Sequence, residues 1–217
     1  MTVAPPAPTP ITIEQAPRTQ TVEVDFLYLD LTACSRCVGS DESLRAALDL
    51  VRPALAATGV AVALRKTLVA SEDHARAVRF VSSPTIRVDG WDIAGTLRES
   101  ACADCGDLCG CDGESACRVW TYNGREYTET PIGLLVEAIL GAVYGATTPA
   151  AQAARPYEDV PDNLKRFYAG KATKEQHEGV ALSSCCAPAV QATCCAPAEK
   201  ATCCGSTDAN AGSCGCQ

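Results

Sequence analysis

The chain has 217 residues, enough for one ordinary domain with appendages or for two small domains. Its 18 Lys and Arg stand against 26 Asp and Glu, and the net charge of −8 argues against nucleic acid or an anionic membrane as a main partner. No apolar run reaches membrane-spanning length, because Glu137 interrupts the best one at 132–146. The start, with Pro5, Pro6, Pro8 and Pro10, lacks a signal-peptide pattern, so a soluble, cytoplasmic protein is expected.

Residues 1–20 are rich in Pro and Thr and read as a disordered leader. Val22, Val24, Phe26 and Tyr28 alternate with Glu23, Asp25 and Leu27, which predicts a strand whose later half is mostly apolar and therefore buried. Cys34-Ser35-Arg36-Cys37 follows it directly. Leu44, Leu48, Val51 and Leu55 sit at helical spacing behind Ser40 as a candidate cap, with Pro53 tightening or kinking the end. Gly59 breaks the chain before a strand over 60–69, and Ser71 with Glu72 and Asp73 starts a short helix. Ser83-Pro84 introduces a third strand over 85–89. Past a Cys-rich insertion at 92–117, Asn123-Gly124 turns 118–122 into 125–128, the clearest hairpin signal in the chain. Thr130-Pro131 opens a last helix with Ile132, Leu135, Val136, Ile139, Leu140 and Val143 on one stripe. The order β-α-β-α-β-β-α over 21–145 predicts an α/β sandwich with a mixed sheet. Residues 146–182 read as a polar connector with one short helix over 163–169. As a flexible segment it would span about 30–36 Å. Residues 183–217 hold no large apolar side chain except Val190 and are expected to be disordered.

Fifteen cysteines, about 7% of the chain, dominate the chemistry. The count is odd, so they cannot all close into internal disulfides, and a reducing compartment disfavours a disulfide scaffold. They fall into three groups: Cys34 and Cys37; Cys102, Cys105, Cys109, Cys111 and Cys117; and Cys185, Cys186, Cys194, Cys195, Cys203, Cys204, Cys214 and Cys216. Only two histidines accompany them. His74 suits a solvated helix face and His177 the connector, so any metal site must be mostly sulfur. Helix N–H groups and the neighbouring Arg36 would favour the Cys34 thiolate, the attacking form of the group. Read from the residues alone, Cys34 and Cys37 are a redox pair, half of a zinc site, or inert.

A CxxC straight after strand one and Ser83-Pro84-Thr85 before strand three resemble the thioredoxin fold over residues 21–145. More closely, they resemble a thioredoxin-like bacterial family, some of whose members are selenoproteins, that has no assigned activity. The resemblance implies that Cys34 is a nucleophile and Cys37 the resolving thiol. It also implies a cis Ser83–Pro84 bond against the pair, with Pro84 and Ser83 forming the platform for a thiol or disulfide substrate. No cofactor is implied for the redox chemistry.

The insertion carries a net charge of −5, from Asp92, Glu99, Asp104, Asp107, Asp112 and Glu114 against Arg98. Unless a cation neutralises it, that charge raises thiol pKa values. Four thiolates on Zn(II) would order such a coreless loop, and at least three of its five cysteines are expected to converge. Disulfides, or a soft-ion site for Hg(II), Cu(I) or As(III), are the rivals. In the tail, Cys185-Cys186, Cys194-Cys195 and Cys203-Cys204 recur every nine residues before Cys214 and Cys216. Adjacent thiols on a tether suit a large soft ion, although unconstrained low-complexity sequence also explains them. The sequence thus predicts a thiol-disulfide oxidoreductase linked to metal(loid) or oxidative stress. A non-catalytic thiolate protein binding or sequestering Hg, As, Cu or Zn is the alternative, and an interaction module with structural zinc is the third reading.

Overall fold

The computed structural model describes residues 20–111, 115–145 and 157–183. The leader (apart from Gln20) and the cysteine-rich tail (apart from Ser183) lie outside the described residues.

β1 (Gln20–Tyr28) organises the fold. Its alternation buries Val22, Val24 and Phe26 while Glu23 stays exposed. β2 (Val60–Leu68) pairs with it in parallel along its whole length, and β3 (Thr85–Val88) pairs antiparallel on its other side. β4 (Trp91–Asp92) adds to β3, giving a mixed sheet of order β2-β1-β3-β4. The parallel β1–β2 pair needs a crossover, which α1 (Ser35–Ala57) supplies. α2 (Glu72–Ala77) joins β2 to β3, and its cap Ser71 accepts a hydrogen bond from the His74 amide at 3.1 Å.

A strand of the insertion joins the expected hairpin in a second, three-stranded antiparallel sheet. β5 (Arg98–Ala101) leads into the short helix α3 (Ala103–Cys109), and β6 (Ala116–Tyr122) returns beside β5. β7 (Arg125–Tyr127) closes the expected hairpin through Asn123 and Gly124, whose φ values of 50° and 74° are those a tight two-residue turn demands. α4 (Ile132–Tyr144) packs on α1, and the two helices cover one face of the first sheet. Val22, Val24, Phe26, Leu44, Leu48, Leu55, Ile86, Trp120, Leu135 and Ile139 form the aliphatic core there.

The insertion, expected as a coreless loop, forms β5 and α3, and two further helices depart from the sequence reading. α1 begins at Ser35, not behind Ser40, because its first turn is fastened from outside. The Ser35 amide and hydroxyl both donate to Asp104 Oδ2, at 2.7 and 2.6 Å. Ser40 is instead buried one turn further on, where its Oγ accepts from the Thr130 amide at 3.0 Å. The other is α5 (Asp162–Ser183), a long helix where a flexible connector was predicted. Val160, Leu164 and Phe167 recur at helical spacing and bury themselves against α2 and α3, which offsets the entropy of ordering the segment. No helix among the described residues is long and apolar enough to cross a membrane.

Candidate metal centre

Four cysteine sulfurs meet at the end of the first sheet. Cys34 comes from the junction of β1 and α1, Cys102 and Cys105 from the start of α3, and Cys117 from β6. All four are buried, and their Sγ atoms lie within 4.8 Å of one another. Cys105 Sγ is 3.6 Å from Cys34 Sγ and 3.2 Å from Cys117 Sγ. A tetrahedron of sulfurs around Zn(II) at ~2.3 Å has edges of about 3.8 Å, so small adjustments would complete one.

The two CxxC turns are built alike. Cys34 and Cys102 occupy N-cap positions with extended backbone, and each carbonyl accepts from the amide four residues on (Val38 and Gly106, both at 3.0 Å). Side chains of one turn hold the other. Asp104 caps the first turn of α1 as described above. Arg36 reaches back with Nη2 to the Ala101 carbonyl at 2.6 Å and with Nη1 to Ser100 Oγ at 2.9 Å. Arg36 also donates to the Cys117 carbonyl at 3.4 Å, so this cation fastens the insertion as well as countering the charge of the thiolates.

The protons on these sulfurs are shared. The thiols of Cys102, Cys105 and Cys117, with Cys37 after them, hydrogen-bond to Cys34 and hold it well below the ordinary thiol range. Cys102 is lowered to about 7 by hydrogen bonds from Cys105 and then Cys117. Cys105 and Cys117 are pushed up, each first by its hydrogen bond to Cys102. Without a cation only some of this group can ionise, and the rest serve them as donors.

Cys37 stands beside the group without being one of its four members. It is fully buried in the first turn of α1, and its Sγ lies 3.3 Å from Ser83 Oγ. Its hydrogen bond to Cys34 and its burial both raise its pKa. The Ser83–Pro84 bond is cis. Ser83 is anchored on both sides: the Leu29 amide donates to its Oγ at 3.1 Å, and the Arg118 amide donates to its carbonyl at 2.7 Å. The loop carrying Pro84 thus abuts Cys37 and the strand that bears Cys117.

Cys109 and Cys111 do not join the four. They form a disulfide with each other, which uses both sulfurs and corrects the expectation that they ligate a metal alongside Cys102, Cys105 and Cys117. Gly170 of α5 packs over them so closely that a Cβ there would meet the Cys109 carbonyl at 2.6 Å and Cys111 Sγ at 2.7 Å. Asn163 of α5 adds two hydrogen bonds to the backbone of Ala116, next to Cys117. His74 and His177 are not part of the cluster. The tail cysteines Cys185, Cys186, Cys194, Cys195, Cys203, Cys204, Cys214 and Cys216 lie outside the described residues. The sequence reading put Cys34 with Cys37 and missed its place among the insertion cysteines. The signal for it was the second CxxC, Cys102-x-x-Cys105, since paired CxxC turns are a common zinc-site spacing.

A family model described as Domain of unknown function (DUF2703) matches residues 22–139, a span that holds all four clustered cysteines and ends before α5. No curated protein and no solved structure matches the chain.

Proposed function

The chain belongs to the DUF2703 family, whose description assigns no activity, and from its cysteine geometry we propose that it is a thiolate metal-binding protein. In this reading Cys34, Cys102, Cys105 and Cys117 hold one thiophilic ion, with Zn(II) as the first choice and a softer metal or metalloid ion as a competitor. The observation that carries the reading is the convergence of four buried sulfurs from three separate places in the chain. Four thiolates suit Zn(II) and softer ions and reject hard cations. The N-terminus of α1 and the Arg36 guanidinium supply positive charge beside the thiolates. A thioredoxin-like arrangement over 21–145 belongs to the proposal. It is supported by the CxxC between β1 and α1, the cis Ser83–Pro84 loop beside Cys37, and the flanking of β1 by parallel and antiparallel partners.

Thiol-disulfide exchange is the second reading, favoured by Cys37 next to the cis-proline loop and by the lowered pKa of Cys34. The complete burial of both sulfurs weighs against attack on a protein disulfide, because exchange needs an accessible thiolate. Under either reading the cysteines of 183–217 are a store of thiols for soft ions.

The test uses the full chain with its eight tail cysteines replaced by serine. Titration with Co(II) should give one ion per chain and the intense sulfur-to-metal absorption of a tetrahedral four-thiolate site. Cys117→Ser and Cys105→Ser should abolish that signature, whereas Cys37→Ser should retain it. Uptake that needs Cys37 and not Cys117, or no uptake at all, would remove the reading.

A further inference from the structure

One buried thiol, Cys37, has no place in the four-sulfur group and yet adjoins one of its members. Cys34 at the N-cap and Cys37 three residues on share the first turn of α1, and both are completely buried. Cys37 Sγ also lies 3.3 Å from Ser83 Oγ. Cys34 is therefore within reach of two mutually exclusive partnerships, because a sulfur that has closed a disulfide is no longer a thiolate ligand. Every other thiol of the cluster is itself a ligand in the loaded state.

We propose that oxidation of Cys34 and Cys37 to a disulfide expels the bound ion, so that the protein releases metal in response to a hydroperoxide. The proposal rests on the four-thiolate reading. The Cys34 sulfur attacks one peroxide oxygen, the O–O bond breaks, and hydroxide leaves from a sulfenic centre. Cys37 then attacks the Cys34 sulfur, the S–S bond forms, and the S–O bond breaks. The proton of Cys37 leaves with the departing oxygen as water. Two electrons pass from the two cysteine sulfurs to one peroxide, and only three sulfurs stay with the ion. Cys34 is completely buried, which restricts the oxidant to a molecule as small as hydrogen peroxide. A surface hollow of about 290 Å³ is lined by Ala33, the residue before Cys34, and by Asp104, which lies between Cys102 and Cys105, with Asp107, Leu108 and Lys174. Cys37 is the resolving thiol because it is already in place and uncommitted, whereas a ligand must first leave the ion.

The experiment loads the full chain, tail cysteines replaced by serine, with Zn(II). Hydrogen peroxide is then added, and release is followed with a chromogenic chelator. Peptide mapping should find one Cys34–Cys37 disulfide for each zinc released. Cys37→Ser and Cys37→Ala should bind one zinc as the parent does and release it roughly tenfold more slowly or less, having lost the intramolecular thiol. Release at the parental rate in both variants, or a Cys105–Cys117 or Cys102–Cys105 disulfide in the parent, would overturn the proposal while leaving the metal site standing. Failure of the parent to take up zinc would instead sink the four-thiolate reading on which the proposal rests.

Discussion

Phe26 and Leu27 are neighbours in β1 and belong to cores of different chemistry. Phe26 faces the aliphatic core beneath α1 and α4, which among the described residues contains no buried cysteine. Leu27 faces a second core beneath α2, α3 and α5, where six of the fourteen buried members are cysteines. In the first core, each fully buried Leu, Ile or Phe contributes about 1.5–3 kcal/mol by leaving water. The second also buries apolar side chains, among them Leu27, Leu29, Phe80, Leu164 and Phe167, but shares its interior with the sulfurs. Directional links add to that packing: the Asp104 cap on Ser35, the Arg36 bonds to β5 carbonyls, Asn163 on Ala116, the Cys109–Cys111 disulfide and, by our proposal, a metal ion. The first half contains no buried cysteine, and the second depends in part on what its sulfurs are bonded to.

The largest effect that would test this division comes from the aliphatic side. Leu135 is completely buried, and Leu135→Ala should cost about 2–5 kcal/mol through lost transfer energy and the cavity left behind. Denaturant unfolding measures the cost, and metal bound per folded chain should not change. A variant that stays folded yet loses metal would mean that the two cores are not separable.

A smaller effect is expected where α5 meets the sulfur core. At Gly170→Ala, the new Cβ would meet the Cys109 carbonyl, which is backbone and cannot swing away. Overpacking of about 1–3 kcal/mol outweighs the roughly 1 kcal/mol that Ala gains over Gly inside a helix. Hydrogen exchange should quicken in α5 and around Cys109–Cys111, with β1, β2 and β3 unaffected. Unchanged protection of α5 would show that the close approach is not maintained.

How much of this was legible in the sequence follows the same division. Period-two alternation marked Val22, Val24 and Phe26, helical spacing marked Leu135 and Ile139, and the Asn123-Gly124 turn fixed the hairpin, because these signals are local and repeat. The sulfur core has no period. Cys34 lies far along the chain from Cys102, and nothing in the spacing of a CxxC says whether its partner is its own second cysteine or another turn built the same way. Ser40 looked like a cap because capping residues mark helix starts, but the real start is imposed by Asp104, a residue of the insertion. Val160, Leu164 and Phe167 did carry the pattern of a buried stripe. Polar neighbours diluted it, and only the apolar floor supplied by Leu27, Leu29 and Phe80 makes the helix favourable.

The smallest effect concerns the polar link between α2 and the approach to α5, and its sign is fixed by a pKa. Asp159 accepts from Lys165 Nζ at 2.7 Å and from Arg76 Nε of α2 at 3.1 Å. Lys165 first, then the Val160 amide and Arg76, lower its pKa to about 2. In the unfolded chain an aspartate titrates near ~3.9. With the folded value depressed, the link contributes fully above that range and is lost as pH falls through it towards about 2. The carboxylate is exposed, so solvent screening keeps the contribution small. Asp159→Asn should leave the sheet unchanged and slightly quicken hydrogen exchange in the first turn of α5 at pH 5. As pH falls towards 2 the two proteins should converge, since a protonated Asp159 and the substituted amide offer the cations the same uncharged kind of group. Their difference at each pH cancels the titration of the thiolates and of the other carboxylates. A gap between them that persists or widens at low pH would show that Asp159 does not act through its charge.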